Sequence, residues 1–69
     1  MRLISQDGTN DMPYKKTVIT VTGNCIYGIY DDSCGCFLGK FDTEEKAVNE
    51  LKKIRTAYAS GRMIYKIGE

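Results

Sequence analysis

The sequence predicts an α+β fold: a small antiparallel sheet of three to five strands, arranged as a β-meander, with one amphipathic helix packed on one face. Three features carry this expectation. Residues 17–22 (TVITVT) are dense in β-branched side chains, which suit the pleated surface of a strand. Gly23-Asn24 separates that run from a second strand-like run, CIYGIY, as in a tight hairpin. Ala47, Leu51, Ile54 and Tyr58 recur at spacings of four, three and four, which makes one apolar stripe along a helix, widened by Val48.

The remaining elements follow in order. Residues 2–6 read as a short strand, apolar at Leu3 and Ile4, closed by the turn pair Asp7-Gly8. Residues 9–16 hold Asn10, Asp11 and Pro13 and read as an ordered loop, with Met12 driven toward extended geometry by Pro13. A two-residue hairpin turn sets Thr22 opposite Cys25, Thr20 opposite Tyr27 and Val18 opposite Ile29. One face then carries Ile19, Val21, Ile26, Gly28 and Tyr30, and the other Val18, Thr20, Thr22, Cys25, Tyr27 and Ile29. Residues 31–35 (DDSCG) form a turn cluster, and 36–41 a third strand of the meander. Asp42 or Thr43 caps the helix, Asp42 with Glu45 fitting a capping box, and Glu44 and Glu45 complement the helix dipole. Lys46, Asn49, Glu50 and Lys53 are assigned to the wet side, with Lys46–Glu50 as an i,i+4 pair. The helix stops near Ser60, with Gly61 as its terminal glycine. Residues 62–67 read as a last strand, which completes the sheet or adds to a neighbour's edge.

The chain has 69 residues, enough for a single domain spanning 1–69. A chain this short buries only roughly 60% of its unfolded surface and usually adds a disulfide, a metal or a second subunit. The three cysteines, Cys25, Cys34 and Cys36, cannot all pair within one chain. The opening apolar run breaks at Asp7-Gly8, too early for a signal peptide, so a reducing cytoplasm is the expected compartment. No stretch approaches the roughly 20 apolar residues of a membrane span. Cys34-Gly35-Cys36 invites a metal reading. A structural zinc wants four ligands, however, and the chain has no histidine and one further cysteine. No metal or cofactor is expected, and the plain reading puts Cys34 and Gly35 in a turn. A second subunit is therefore the expected staple, with a homodimer favoured. The half-apolar second face of the hairpin points the same way, since a sheet under one helix normally shows water a polar back.

No catalysis is expected. Without histidine the usual base beside a nucleophile is missing. The paired acids Asp31-Asp32 and Glu44-Glu45 fall on a turn and a helix start, where carboxylates are ordinarily solvated. No phosphate-cradling glycine motif occurs. Ten basic against nine acidic residues leave a net charge of +1, which disfavours a nucleic-acid backbone binder. Binding is better supported. Five tyrosines are available for contact surfaces and base stacking. Arg55, Tyr58, Arg62 and Tyr65 lie close together in sequence; an arginine fork grips a phosphate while a tyrosine ring stacks on a base. Against that, Tyr58 lies on the apolar stripe as core, and Arg55 and Arg62 serve equally as surface charge. Ser5-Gln6-Asp7-Gly8-Thr9 reads either as an Asx-type turn satisfying its own backbone or as a loop meeting a ligand.

The start Met1-Arg2-Leu3-Ile4-Ser5-Gln6-Asp7-Gly8-Thr9, then Pro13-Tyr14, Gly39 and Thr43-Glu44-Glu45-Lys46-Ala47, resembles a family of short proteins encoded by phages and prophages of low-GC Gram-positive bacteria. The resemblance runs from Met1 to about Tyr58, and the chain departs from it at residues 31–36 and after Gly61. It carries over no catalytic residues. It implies a phage setting in the host cytoplasm, where small non-enzymatic proteins counter host defence. They bind a defence protein or, as compact oligomers, sequester a nucleotide immune signal. The expected function is the second: capture of a cyclic nucleotide or ADP-ribose-type ligand in a pocket between subunits. Arg55, Arg62 and Tyr65 would contact phosphate and base, and Ser5, Gln6, Asp7 and Tyr14 would line the pocket. The alternatives are a protein-binding inhibitor or regulatory module using its sheet surface and, less favoured, a nucleic-acid binder.

Overall fold

Two three-stranded sheets and one helix share a single core. The structure, a computed structural model, describes residues 1–31 and 35–68. The strands are β1 (Arg2–Ile4), β2 (Asp11–Pro13), β3 (Thr17–Thr22), β4 (Cys25–Tyr30), β5 (Cys36–Lys40) and β6 (Ile64–Lys66), and the helix is α1 (Glu44–Ala59). β3, β4 and β5 make the antiparallel meander. β2, β1 and β6 make a second, mixed sheet, in which β1 pairs antiparallel with β2 and parallel with β6.

The hairpin forms in the expected register, with Thr22 opposite Cys25, Thr20 opposite Tyr27 and Val18 opposite Ile29. Gly23 has φ +62° at the first turn position, the glycine site of a type II′ turn, whose twist matches the flanking strands. Asn24 ties this turn to the end of the meander. Its Nδ2 donates to the Phe41 carbonyl at 2.7 Å, and the Phe41 N–H donates to the Asn24 carbonyl at 2.9 Å. β5 carries a bulge. Ile26 faces Gly39 and Tyr27 faces Phe37, so Leu38 is the extra residue and turns into the core, fully buried. The turn cluster expected around Asp32, Ser33 and Cys34 lies outside the described residues.

The expected three to five strands in one meander become six in two sheets. β2 occupies part of the stretch read as a loop. The last strand is shorter than 62–67 and joins its own chain, beside β1. The strands of this second sheet have three residues each, and β2 (DMP) has little β propensity of its own. They exist because the chain termini pack on the inner face of the meander, where Leu3, Met12, Tyr65 and Ile67 meet Ile26 and Leu38. Two glycines allow that approach. A Cβ at Gly28 would sit 2.8 Å from the Met12 sulfur, and one at Gly39 would sit 2.9 Å from Ile67 Cγ2.

α1 begins at Thr43, whose hydroxyl accepts from the Lys46 N–H at 3.2 Å, and ends before Gly61 at φ +83°. Asp42 does not cap; it pairs with the Lys46 ammonium at 3.3 Å. The buried stripe is Ala47, Glu50, Ile54 and Ala57, rotated from the expected one. Glu50 is therefore a correction, being 4% exposed rather than on the wet side. Its carboxylate accepts from the Tyr65 hydroxyl at 2.7 Å and the Gly68 N–H at 3.0 Å, so it anchors the C-terminal strand to the helix.

Among the described residues, the outer face of the meander keeps apolar side chains in water: Val18 is 65%, Ile29 37% and Phe37 38% exposed. Tyr27 and Phe37 meet edge to face there, with ring centroids 6.0 Å apart.

Gly39→Ala is expected to destabilise the fold by about 1–3 kcal/mol through overpacking against Ile67. Lys40→Ala, at the neighbouring exposed position, should stay within about 0.5 kcal/mol of wild type. Urea unfolding followed by circular dichroism reads both. Equal midpoints for the two variants would show that the sheets do not need the glycine.

Candidate functional site

The seven residues nominated from the sequence fall into three places. Ser5, Gln6 and Asp7 build a clasp. Ser5 is fully buried; its hydroxyl donates to Asp7 Oδ1 at 2.6 Å and accepts from the Asn10 N–H at 3.0 Å. Asp7 Oδ1 also accepts from the Thr9 N–H at 3.0 Å and the Thr9 hydroxyl at 2.7 Å. Those bonds, the one from Ser5 foremost, hold the Asp7 carboxyl down at about 2, from an ordinary 3.8. The loop then grips the outer edge of β5. The Gln6 N–H donates to the Leu38 carbonyl at 2.7 Å, Gln6 Oε1 accepts from the Lys40 N–H at 3.0 Å, and Asn10 Nδ2 donates to the Phe37 carbonyl at 3.2 Å. The polar side chains of Ser5, Gln6 and Asp7 are thus engaged within the fold, as in the Asx-type reading.

Tyr14 and Arg55 do come together. Leu51, Arg55 and Tyr58 project from one side of α1, at spacings that share a helix face. Opposite them stand the 3-10 turn Tyr14–Lys16 and the start of β3. That turn is held from three directions. The Tyr14 N–H donates to the Met1 carbonyl at 2.9 Å, the Thr17 hydroxyl to the Pro13 carbonyl at 2.6 Å, and the Thr17 N–H to the Tyr14 carbonyl. The result is an open cleft of about 390 Å³. The Tyr14 and Tyr58 rings lie in it 4.8 Å apart, tilted by 36°. Arg55 and Lys15 bring positive charge, Thr17 a hydroxyl, and Ile19 and Leu51 an apolar floor; no carboxylate lines the cleft.

Arg62 and Tyr65 lie on the other flank of α1, in a second cleft of about 700 Å³ shared with Lys52, Lys53, Thr56 and Ser60. The Arg62 guanidinium carbon sits 5.2 Å from the Tyr65 ring centroid, a cation–π contact. Tyr65 is only 5% exposed and its hydroxyl is held by Glu50. It is a core residue whose ring already carries an arginine, which corrects its nomination as a base-stacking platform.

Lys15 was missed, and Tyr58 was weighed beside Arg55 but set aside as core. Tyr58 falls on the apolar stripe and reads as core, yet the helix is rolled so that Ala57 goes inward and Tyr58 is 36% exposed. Ala57, one residue before Tyr58, carried the signal: a small apolar residue tolerates the closest approach of helix to sheet. Lys15 directly follows Tyr14, and its placement depends on the 3-10 turn. Among the described residues no group of three histidine, cysteine or acidic side chains is arranged to hold a metal, and no helix is long and apolar enough to cross a membrane.

Because the Asp7 carboxyl is held below its unfolded value, the clasp contributes stability above about pH 3.8 and loses it as the pH falls toward about 2. Asp7→Asn, which mimics the protonated acid, is expected to melt below wild type at neutral pH and together with it near pH 2. Thermal melts across that range test this; a constant gap at every pH would count against an ionised Asp7 as the hub.

Comparison with protein-family models, with curated proteins and with solved structures returns no match.

Proposed function

We propose that the chain is a non-enzymatic phage-type accessory protein that binds and sequesters a nucleotide-derived anion, and that the cleft between α1 and the 3-10 turn is where it does so. The observation that carries this reading is the pairing of Tyr14 and Tyr58 in the same cleft as Arg55 and Lys15, with no carboxylate beside them. A base is accepted by aromatic faces, and a phosphate by a guanidinium fork and an ammonium. An open cleft with no base–nucleophile pair suits retention of a ligand rather than its conversion. The phage setting comes from the resemblance of the opening motif and gives capture of a defence signal as the biological role. In this reading Arg55, Lys15, Tyr14 and Tyr58 make the contacts. Arg62, with Lys52 and Lys53 across the helix, supplies a second cationic surface for a ligand with more than one phosphate.

A second reading has its own observation. The outer face, with Val18, Ile29 and Phe37 exposed, suits a protein-binding inhibitor acting through its sheet.

Thermal shift against cyclic mono- and dinucleotides and ADP-ribose derivatives separates the two. A true ligand at 100 times its Kd should stabilise the protein by about 2.7 kcal/mol. Tyr58→Ala and Arg55→Ala should each weaken binding about tenfold, within the roughly 1–3 kcal/mol that a base–aromatic stack contributes. Lys46→Ala, beside Asp42 at the other end of the helix, should leave binding unchanged. A panel without any stabilising member, or binding indifferent to Tyr58 and Arg55, would remove the sequestration reading.

A further inference from the structure

We propose that β3 is the assembly edge of this protein: two copies join by antiparallel pairing of β3 with β3, about a two-fold axis at Thr20, into one six-stranded sheet.

The two sheets have four outer edges, and three are closed to further pairing. β5 is gripped by Gln6 and Asn10. β2 has three residues and ends in Pro13, and β6 has three residues. Short strands and proline are the usual means of blunting an edge. β3 has none of these protections. It runs six residues with no charge, proline or glycine.

The hairpin register shows which groups β3 offers. Thr22 and Cys25 flank the two-residue turn and form a hydrogen-bonded pair, so Thr20 and Val18 also bond to β4. Ile19 and Val21 therefore point their N–H and C=O groups away from β4. Among the described residues no other backbone meets them. Burial agrees. Ile26 is fully buried at the centre of the inner face, while its neighbours Val21 and Ile19 on the same face are only half-buried.

A second copy of this chain fits that edge better than an arbitrary strand. Centred on Thr20, Ile19 of each copy faces Val21 of the other and exchanges both backbone bonds, while Thr20 faces Thr20 and Val18 faces Thr22. Every pair joins β-branched side chains, which favour cross-strand contact. The strand bears no charge, so self-pairing brings no like-charge repulsion. The axis stands perpendicular to the sheet and leaves both helices on one face. The clefts lined by Thr17 and Ile19 then open on either side of the seam.

Sedimentation of the full chain should give twice the 7.8 kDa chain mass, and Thr20→Lys, which sets two ammonium groups together on the axis, should give the single mass with the circular dichroism spectrum kept. With Cys25, Cys34 and Cys36 replaced by serine, Thr20→Cys should cross-link between copies under mild oxidation and Phe37→Cys should not. A monomeric wild type, or cross-linking through Phe37→Cys instead of Thr20→Cys as in a face-to-face stack, overturns the proposal. It stands apart from the ligand reading: a monomer that still binds a nucleotide defeats only the edge, and a dimer that binds none defeats only the sequestration.

Discussion

The close approach at Gly28 and Gly39 governs the rest of this molecule. Both glycines lie on the inner face of the meander, and both admit a side chain of the terminal sheet where a Cβ would collide. With those two gaps filled by Met12 and Ile67, the termini lie on the same face as the helix. All the apolar material the chain can spare goes to one side: Leu3, Met12, Ile54, Ala57, Tyr65 and Ile67 converge on Ile26 and Leu38. On the back of the sheet Val18, Ile29 and Phe37 stay exposed. The same arrangement aligns residues 5–10 along β5 and closes one edge of the meander while leaving the other open.

A net charge of +1 conceals a strong polarity. Several of the acids are engaged in building the fold. Asp7 holds its loop, Asp11 pairs with Arg2, Asp42 pairs with Lys46, and Glu50 is buried under Tyr65. Glu44 and Glu45 face the positive end of the helix dipole. Lys52, Lys53, Arg55 and Lys15 gather around the C-terminal half of α1, lining clefts without carboxylates. The dipole does not account for the helical cations, since the last turn carries no basic residue. Whole-chain charge argued against a nucleic-acid backbone binder, but it does not report a local field, which acts within about 10 Å at ordinary ionic strength.

What was legible in the sequence was local. The hairpin register follows from a two-residue turn, and the helix limits follow from Thr43 and Gly61; both are decided by residues adjacent in the chain. What was not legible was decided by contacts across the fold. The parallel pairing of β1 with β6 joins residues some sixty positions apart, and three-residue strands leave no periodicity to detect. Glu50 is a charged residue on a helix, and only the Tyr65 hydroxyl and the Gly68 N–H make its burial tolerable. The roll of the helix leaves Tyr58 at the surface, while Tyr65, on β6, is core. The candidate site was therefore half legible. Of the seven residues assigned to one pocket, Tyr14 and Arg55 share a cleft, Arg62 and Tyr65 lie on the other flank of α1, and Ser5, Gln6 and Asp7 belong to the loop that holds the edge of β5.

The cleft and the open edge share residues, which ties the two proposals together physically. Thr17 and Ile19 line the cleft, and both belong to β3. In the two proposals a strand laid against β3 would restrict the backbone of Ile19 from one side, while a ligand in the cleft, against the paired Tyr14 and Tyr58 rings, would press on the same residue from the other. Any free energy by which pairing improves the cleft must reappear, undiminished, as a strengthening of pairing by the ligand. Ordering is the natural source of that coupling. The half-buried Ile19 has freedom left to lose, whereas the fully buried Ile26 beside it on the same face has none. A site at the margin of an incomplete sheet can respond to assembly in a way that a site in a finished core cannot, and in this chain the tyrosine cleft stands at that margin.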